Sequence, residues 1–318
     1  MPQPISKHFI IEPLTDGIYA AIAKPGGLAG SNAGIVDLGD RVVLFDTFMS
    51  PQAAHDLANI AMQLTGHPVR AAVNSHWHFD HGLGNPALGA DVTVISTRPT
   101  RALIAERVPP FIAEQKISIP CRLAELEKKF LNEHDPALLQ EIGEEIDYYR
   151  LELVELPHLA LRLPDQTFDQ QMTLYGSART AEVITFGGGH TVSDAILYLP
   201  DEQIAFVADL LFNGFHPWLG DGDPAEWLRI YEQIEALDPL VEVLVPGHGA
   251  VATPDALAAL RRYIPVLQQL AAEVVQRGGT ADDAAALRVP AAFCEWIGQP
   301  TFANNMRFLF ERAAIASE

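Results

Sequence analysis

The sequence contains few cysteines and few basic residues, and each shortage excludes a class of protein. Only Cys121 and Cys294 occur, which excludes a disulfide-stapled scaffold or a four-cysteine zinc finger, and we expect both to be buried thiols. Lysine and arginine number 21 against 41 aspartates and glutamates, which gives a formal net charge of −20. A chain this acidic repels phosphates, so we predict no nucleic-acid partner.

Long apolar runs are also missing. No stretch approaches the roughly 18 apolar residues that cross a bilayer, so we predict no membrane partner. The opening residues 1–4 show no cationic start of a secretory signal, and we expect a cytoplasmic protein. Hydrophobic residues still make up 48% of the chain, enough for a large buried core.

The hydrophobic pattern predicts an α/β protein. Helices are predicted at residues 51–65, after Ser50 as N-cap, and at residues 224–237. Strands are predicted at residues 17–23, 32–37, 42–46, 69–74, 91–96, 172–175, 182–186, 195–199, 204–208 and 241–245. No linker divides the chain, so we predict a single domain over residues 1–318 with a core at about 14–250. Two strand-rich halves with helices nearby predict sheets packed face to face, with helices outside.

Two segments outside the strand pattern are predicted to be helical. In the helical insertion, residues 97–165, apolar side chains recur every three or four positions among charges, most clearly at 121–132 and 136–149. We interpret this insertion as a brace or as the surface of a homodimer, with a lid as the alternative. A C-terminal helical segment is predicted over residues 251–318.

Three histidines and one aspartate lie within the six residues 76–81, HWHFDH. Burying them this densely is costly unless something ligates or pairs them. Neither a strand nor a helix would point all four side chains at one place, whereas a loop between a strand ending at Asn74 and a helix starting at Gly82 would. Such a turn lets one ion take the first two histidines and a neighbouring ion take Asp80 and His81. Imidazole and carboxylate ligands without thiolate suit Zn²⁺, and also Fe or Mn.

Further candidate ligands stand where apolar strands are predicted to end. His190 follows three glycines, His248 follows a Pro-Gly pair, and Asp209 closes an apolar run. Each of them alone would be explained as a turn residue. Together they complete the ligands that two divalent ions require, so we predict them as metal ligands.

In their order along the chain, these motifs resemble those of the metallo-β-lactamase superfamily over roughly residues 14–250. The resemblance implies a four-layer αββα sandwich with the site along one edge. It implies these ligands: His76, His78 and His190 for the first ion, Asp80, His81 and His248 for the second, and Asp209 as a bridge between them. Asp46 is similar to the family's acid that orients a ligand histidine. Thr191 and Asp194 resemble such orienting residues too, although capping of a helix would explain them equally well.

The resemblance implies a hydrolase with two zinc ions per chain and a small-molecule substrate. A metal-bridged hydroxide, oriented by Asp80, would attack an ester, thioester, lactone or amide carbonyl. Related enzymes with a single cysteine ligand carry it where this chain has Asp209. A carboxylate there is typical of hydroxyacyl-glutathione hydrolases and lactonases, which leaves β-lactam hydrolysis as a side activity.

Two other functions stay open. A mononuclear iron redox enzyme of the same fold, similar to persulfide dioxygenases, has a similar histidine motif. A non-catalytic binding or scaffold protein would have lost ligands, whereas all seven positions are present here. Trp77, His216 and Trp218 are candidate substrate-binding residues, and His216 is a candidate general acid, although core aromatic residues and a surface histidine are the simpler interpretations.

Overall fold

The computed structural model describes residues 5–315 and contains two β-sheets together with eight α-helices in that range. The chain divides into two compact units, Met1–Val183 and Ile184–Glu318. The single domain predicted over residues 1–318 stays a prediction. Residues 1–4, on which part of the expectation about a secretory signal rests, lie outside the described residues, as do residues 316–318.

The first unit contains a seven-stranded sheet with the strand order β1-β2-β3-β4-β5-β6-β7. The strands are β1 (Phe9–Thr15), β2 (Ile18–Ala23), β3 (Ala33–Asp37), β4 (Val42–Phe45), β5 (Val69–Val73), β6 (Thr93–Thr97) and β7 (Gln166–Phe168). Neighbours from β1 to β4 are antiparallel, and those from β4 to β7 are parallel. Nearly every residue of β4, β5 and β6 is buried, as expected for strands of a parallel sheet that is covered on both faces.

The first unit also carries four helices: α1 (Pro51–Thr65), α2 (Phe79–Gly82), α3 (Arg98–Asn132) and α4 (Pro136–Glu155). Helix α1 has the predicted bounds, because the Ser50 side chain accepts from the Ala53 N–H and Gly66 ends the helix at φ 76°. Helix α3 lies within the predicted helical insertion, residues 97–165, and includes the stretch 121–132 where the helical pattern was clearest. The helix continues through three prolines, and its buried side chains, from Ile104 to Leu126, pack along its length.

The second sheet has five strands in the order β12-β11-β10-β9-β8. They are β8 (Gln171–Tyr175), β9 (Thr180–Thr185), β10 (Ala195–Leu199), β11 (Ile204–Phe212) and β12 (Val243–His248), and the division between the units falls inside β9. Strand β11 is buried along its whole length and pairs antiparallel with β10 and parallel with β12. The carboxyl ends of β11 and β12 therefore lie at the same edge.

The second unit ends in four helices: α5 (Pro224–Glu235), α6 (Leu257–Gln276), α7 (Ala281–Ala285) and α8 (Gln299–Ile315). Helices α6, α7 and α8 pack on one another, which confirms the predicted C-terminal helices. Their apolar faces join a core that includes Trp227, Tyr231 and Tyr263. The described residues also form short 3-10 turns at Asn85–Ala87, Leu156–His158, Pro254–Ala256 and Ala291–Phe293.

The expectation that both cysteines are buried is wrong. Cys121 and Cys294 are exposed. Cys121 points away from the core because the buried positions around it on α3 are Ile119 and Leu123, on the opposite side of the helix. No helix among residues 5–315 combines the length and the apolar character needed to cross a membrane.

Candidate metal centre

The HWHFDH segment leaves the end of β5 and enters the one-turn helix α2. His78 has extended backbone angles and precedes the helix, whereas Asp80 and His81 lie within it. The segment thus has the predicted path from strand to loop to helix, with the helix starting at Phe79 rather than at Gly82. The ring centre of His76 lies 4.7 Å from that of His78 and 4.2 Å from that of His81, so the path brings the three imidazoles together.

Asp46 lies directly after β4 in left-handed backbone geometry, with φ 62°. Its buried carboxylate accepts hydrogen bonds from the Ser75 N–H (2.8 Å), the Ser75 hydroxyl (2.8 Å) and His81 Nδ1 (2.7 Å). Burial raises the pKa of the Asp46 carboxyl, while His81 and Ser75 act in the opposite direction. Because Nδ1 of His81 is the donor to Asp46, its Nε2 atom carries the lone pair that a metal needs.

Ser75 fixes which nitrogen carries the proton in a second histidine, His76. Its hydroxyl has one hydrogen, which it donates to Asp46, so the 2.9 Å contact with His76 Nδ1 is donated by the imidazole. His76 therefore also presents Nε2 as its lone-pair nitrogen. Sequence reasoning missed Ser75, and its position between Asn74 and the first histidine of the motif was the only signal available.

Glycine at position 30 lets the chain pass close to Asp80. A Cβ atom there would lie 2.8 Å from Cβ of Asp80, and the backbone of Gly30 has a φ of 81°. The next residue, Ser31, donates its hydroxyl to the Asp80 carbonyl at 2.7 Å. The loop between β2 and β3 thus holds the start of α2 in place.

In the second unit, Asp194 forms the turn that presents His190. Its buried carboxylate accepts hydrogen bonds from the N–H groups of Gly189 (2.8 Å), His190 (2.9 Å) and Thr191 (3.0 Å), and from the Thr191 hydroxyl (2.7 Å). Burial raises the pKa of the Asp194 carboxyl, and His190 with these donors acts to lower it. The element that follows is the strand β10, so Asp194 closes a turn rather than capping a helix.

Asp209 lies between two histidines of the second unit. Its Oδ2 atom is 3.2 Å from Nε2 of His190 and 3.4 Å from Nε2 of His248. Nδ1 of His190 donates to the carbonyl of Trp218 at 3.1 Å, since a carbonyl only accepts. In the neutral imidazole, Nε2 is then the nitrogen that carries the lone pair. Strand β11 continues past the predicted end at 208, and its register with β12 shifts between Phe206 and Ala208 and again between Ala208 and Phe212. Asp209 therefore lies inside the strand.

The backbone of β12 lies directly against the Asp209 carboxylate. A Cβ atom built on Gly247 would lie 1.8 Å from Asp209 Oδ1, so only glycine fits at this position. His248 ends β12, and its ring stacks on that of Phe212 at 5.0 Å. The Pro-Gly-His motif therefore serves two purposes: it leaves room for the acid and it places the imidazole beside it.

The candidate substrate-binding residues lie in different surroundings. Trp77 is half-buried and contacts Phe79 and the guanidinium of Arg107. Trp218 is exposed, and its indole nitrogen donates to Asp221. The interpretation of His216 as a surface residue is wrong: it is buried, its Nδ1 lies 3.0 Å from the Tyr263 hydroxyl, and burial lowers its pKa.

The candidate ligands fit divalent metal ions. The first unit brings together His76, His78, Asp80 and His81, and the second unit brings together His190, Asp209 and His248. Each residue offers one imidazole nitrogen or carboxylate oxygen, with no thiolate, a combination that suits Zn²⁺, Fe or Mn. Three of the histidines have their Nδ1 atoms fixed by protein acceptors, as metal-binding histidines usually do.

Comparisons with known proteins agree with this geometry. The sequence model of the metallo-beta-lactamase superfamily matches residues 26–248. A metallo-beta-lactamase type 2 of Bacteroides fragilis is 27% identical over 92 residues, which cover 28% of this chain and 37% of that relative. The match thus spans little more than a third of the curated relative.

Solved structures of metallo-beta-lactamases share the fold. One from Pontibacter korlensis superposes with a TM-score of 0.56 at 21% identity, over 79% of this chain and 95% of that one. One from Pseudomonas aeruginosa, in a mono-zinc form, gives 0.57 at 16% identity, over 83% and 97%. The predicted fold class is therefore confirmed. Because the family model covers more than half of the sequence, the chain belongs to the metallo-beta-lactamase superfamily.

Proposed function

We propose that the chain is a binuclear, zinc-dependent hydrolase that acts on a carbonyl group of a small molecule. The proposed ligands are His76, His78 and His190 for one ion, Asp80, His81 and His248 for the other, and Asp209 for both. The observation that best supports this proposal is the hydrogen bonding of the histidines. Nδ1 of His76, His81 and His190 is bound to Ser75, Asp46 and the Trp218 carbonyl, which leaves each Nε2 atom able to ligate.

Asp80 differs from the other two acids in its access to solvent. Its side chain is 26% exposed, against 1% for Asp46 and 4% for Asp209. We therefore assign Asp80 the task of orienting the attacking water and accepting its proton. Bound divalent ions would lower the pKa of that water and polarise the substrate carbonyl.

The surroundings of His216 favour some substrates over others. An amine leaving group needs a general acid, whereas a thiolate or a stabilised alkoxide leaves without one. His216 is buried, and its Nδ1 is engaged by Tyr263, so its position does not support the role of a general acid. We therefore expect thioesters and lactones to be better substrates than unstrained amides.

β-Lactams are a second group of candidate substrates. The relative from Bacteroides fragilis and the structural neighbours are named metallo-beta-lactamases, and a strained lactam opens more readily than an ordinary amide. The carboxylate at position 209, however, is the residue type typical of the hydroxyacyl-glutathione hydrolases and lactonases of the family. We propose β-lactam hydrolysis as a side activity.

Metal analysis combined with parallel assays tests the proposal. We expect about two zinc ions per chain and hydrolysis of at least one thioester, lactone or β-lactam probe. Hydrolysis of a phosphoester probe alone would contradict a reaction at a carbonyl group. His190→Ala should lose more activity than the about 10- to 100-fold that removal of an outer partner of a ligand costs. His55→Ala, which changes an exposed histidine, should leave activity unchanged.

The same experiment separates the hydrolase from the iron redox enzyme. The thiolate-free ligands suit iron as well as zinc. One iron per chain, with oxygen uptake in the presence of a persulfide and no hydrolysis, would overturn the proposal. A purified chain that binds no metal when metal is supplied would overturn both functions.

A further inference from the structure

The loop between β11 and α5 carries the carbonyl group that orients His190. The Trp218 carbonyl accepts from His190 Nδ1 at 3.1 Å, and Nε2 of the same ring faces Asp209 at 3.2 Å. If this carbonyl moved away, the imidazole could rotate or place its proton on Nε2, where it would block a metal. The position of one backbone group therefore controls how His190 is presented.

Asn305 on helix α8 binds this loop on both sides of Trp218. Its Oδ1 atom accepts from the Leu219 N–H at 3.0 Å, and its Nδ2 atom donates to the Pro217 carbonyl at 2.6 Å. The two bonds hold the backbone immediately before and immediately after the residue whose carbonyl orients His190. The side-chain amide thus pairs with the loop backbone through one acceptor and one donor, as the backbone of a neighbouring β-strand would.

The surroundings of Asn305 make this arrangement rigid. Asn305 is completely buried on the apolar face of α8, between Phe302 and Leu309. A buried amide is costly unless it is hydrogen-bonded, so it has a strong preference for the one orientation that satisfies both atoms. Its Nδ2 atom also lies 3.4 Å from the Tyr263 hydroxyl, which in turn contacts His216 of the same loop.

A backbone connection fixes the start of the loop. The His216 N–H donates to the Ile297 carbonyl at 2.9 Å, and the Ile297 N–H donates to the Gly214 carbonyl at 3.0 Å. The loop is thus held at its start by residue 297 and in its middle by Asn305, and both belong to the C-terminal helical segment. This segment lies beyond residue 248, where the match to the family model ends.

We propose that Asn305 is a positioning residue for His190. It fixes the backbone of Pro217 and Leu219, hence the Trp218 carbonyl, and hence the tautomer and orientation of the imidazole. The C-terminal helices accordingly take part in building the metal centre. This inference rests on the proposed role of His190 as a ligand.

The first test measures the tautomer of His190 directly. In zinc-loaded wild-type protein with ¹⁵N-labelled histidine, in which a bound ion would take the lone pair of Nε2, we expect long-range ¹H–¹⁵N NMR spectra to show His190 protonated on Nδ1 and not on Nε2. In Asn305→Ala, the signals should move towards a mixture of the two tautomers. Asn304→Ala is the matched control, because the neighbouring asparagine is exposed and its replacement should change neither signal.

The second test measures zinc affinity by competition with a chelator. For Asn305→Ala we expect the apparent dissociation constant to rise by about 10-fold or more, as for other outer partners of metal ligands, with no change for Asn304→Ala. Urea unfolding of each variant separates this effect from a loss of global stability. If Asn305→Ala does not fold, Asn305→Leu replaces it, because leucine keeps a side chain of similar size in the apolar core and lacks both hydrogen-bonding atoms.

The outcomes distinguish this inference from the proposed hydrolase. Wild-type His190 protonated on Nε2, or an Asn305 variant with unchanged tautomer and zinc affinity, would overturn the positioning role. Zinc binding that depends on Asn305 in a chain that hydrolyses none of the probes would support the positioning role and contradict only the proposed reaction.

Discussion

Asp46 and His81 form a buried hydrogen bond of 2.7 Å between Oδ2 and Nδ1, and the same Oδ2 atom accepts from the Ser75 hydroxyl. Through Ser75 the acid also reaches His76. One carboxylate therefore sets the tautomer of two candidate ligands. This connection explains why the acid lies at the end of β4, in a left-handed conformation that few residue types adopt.

Asp46→Asn tests this connection. Asparagine tolerates the left-handed backbone, but one of its two terminal atoms becomes an NH₂ group that faces donors. We expect zinc affinity to fall about 10- to 100-fold. The measurement is chelator competition, with Asp16→Asn at an exposed position as the control. Equal affinity in the two variants would show that Asp46 does not orient the ligands.

Gly247→Ala tests the close approach of β12 to Asp209. The added methyl group would lie 1.8 Å from Oδ1, so either the carboxylate or the strand must move. We expect fewer bound zinc ions per chain and a large loss of hydrolysis, measured by metal analysis and by the substrate assay. Retention of both would show that the strand shifts without disturbing Asp209.

Gly143→Ala is the matched control for that substitution. Gly143 lies inside α4, and the nearest atom to an added Cβ is 3.7 Å away, which is an ordinary contact. Alanine favours the helix over glycine by roughly 0.5–1 kcal/mol, so this variant should be slightly more stable than the wild type in urea and bind zinc equally well.

The sequence was informative where local chemistry decides the structure. Helix α1 has the predicted bounds because Ser50 and Gly66 are strong start and stop signals. Strand β1 was missed, since its single Pro13 and mostly exposed residues resemble a loop. Helix α3 lies within the predicted helical insertion, residues 97–165, but extends well beyond the stretch 121–132 where the helical pattern was clearest.

In the candidate site, too, the sequence predicted the features that depend on local residues and missed those that depend on tertiary contacts. The residue types and spacing of HWHFDH indicated metal ligands, and the structure brings their side chains together. The partners that orient the ligands were harder to find. Ser75 orients His76 only because its hydroxyl donates to Asp46 and so must accept from the imidazole. Asn305 lies more than 100 residues beyond His190 in the sequence. Neither property follows from local pattern, because each depends on the tertiary fold.

Metal removal should affect stability as well as activity. An ion that binds only the folded chain stabilises it by RT ln(1 + [L]/Kd), which is about 2.7 kcal/mol at a hundredfold excess over Kd. We expect dialysis against a chelator to lower Tm and abolish hydrolysis, and zinc to restore both. Full activity in protein shown to be metal-free would contradict a metal-dependent mechanism.

The pH dependence of stability should reveal the Glu152 carboxyl on α4. Burial raises its pKa from the usual 4.5, although the Tyr148 hydroxyl donates to it at 3.0 Å. Because the folded chain binds the proton more tightly, stability from this group is fully present below pH 4.5 and is lost as the pH rises through the raised pKa.

Glu152→Gln removes this titration while keeping an acceptor for Tyr148. We expect the variant to be more stable than the wild type at neutral pH, with the advantage shrinking as the pH falls towards 4.5, because protonated glutamic acid and glutamine are both neutral. Urea unfolding across that range measures the effect, and Glu141→Gln, at an exposed position of the same helix, is the control. A constant difference between Glu152→Gln and the wild type at every pH would mean that Glu152 keeps its ordinary pKa and that the burial of its charge costs the fold nothing.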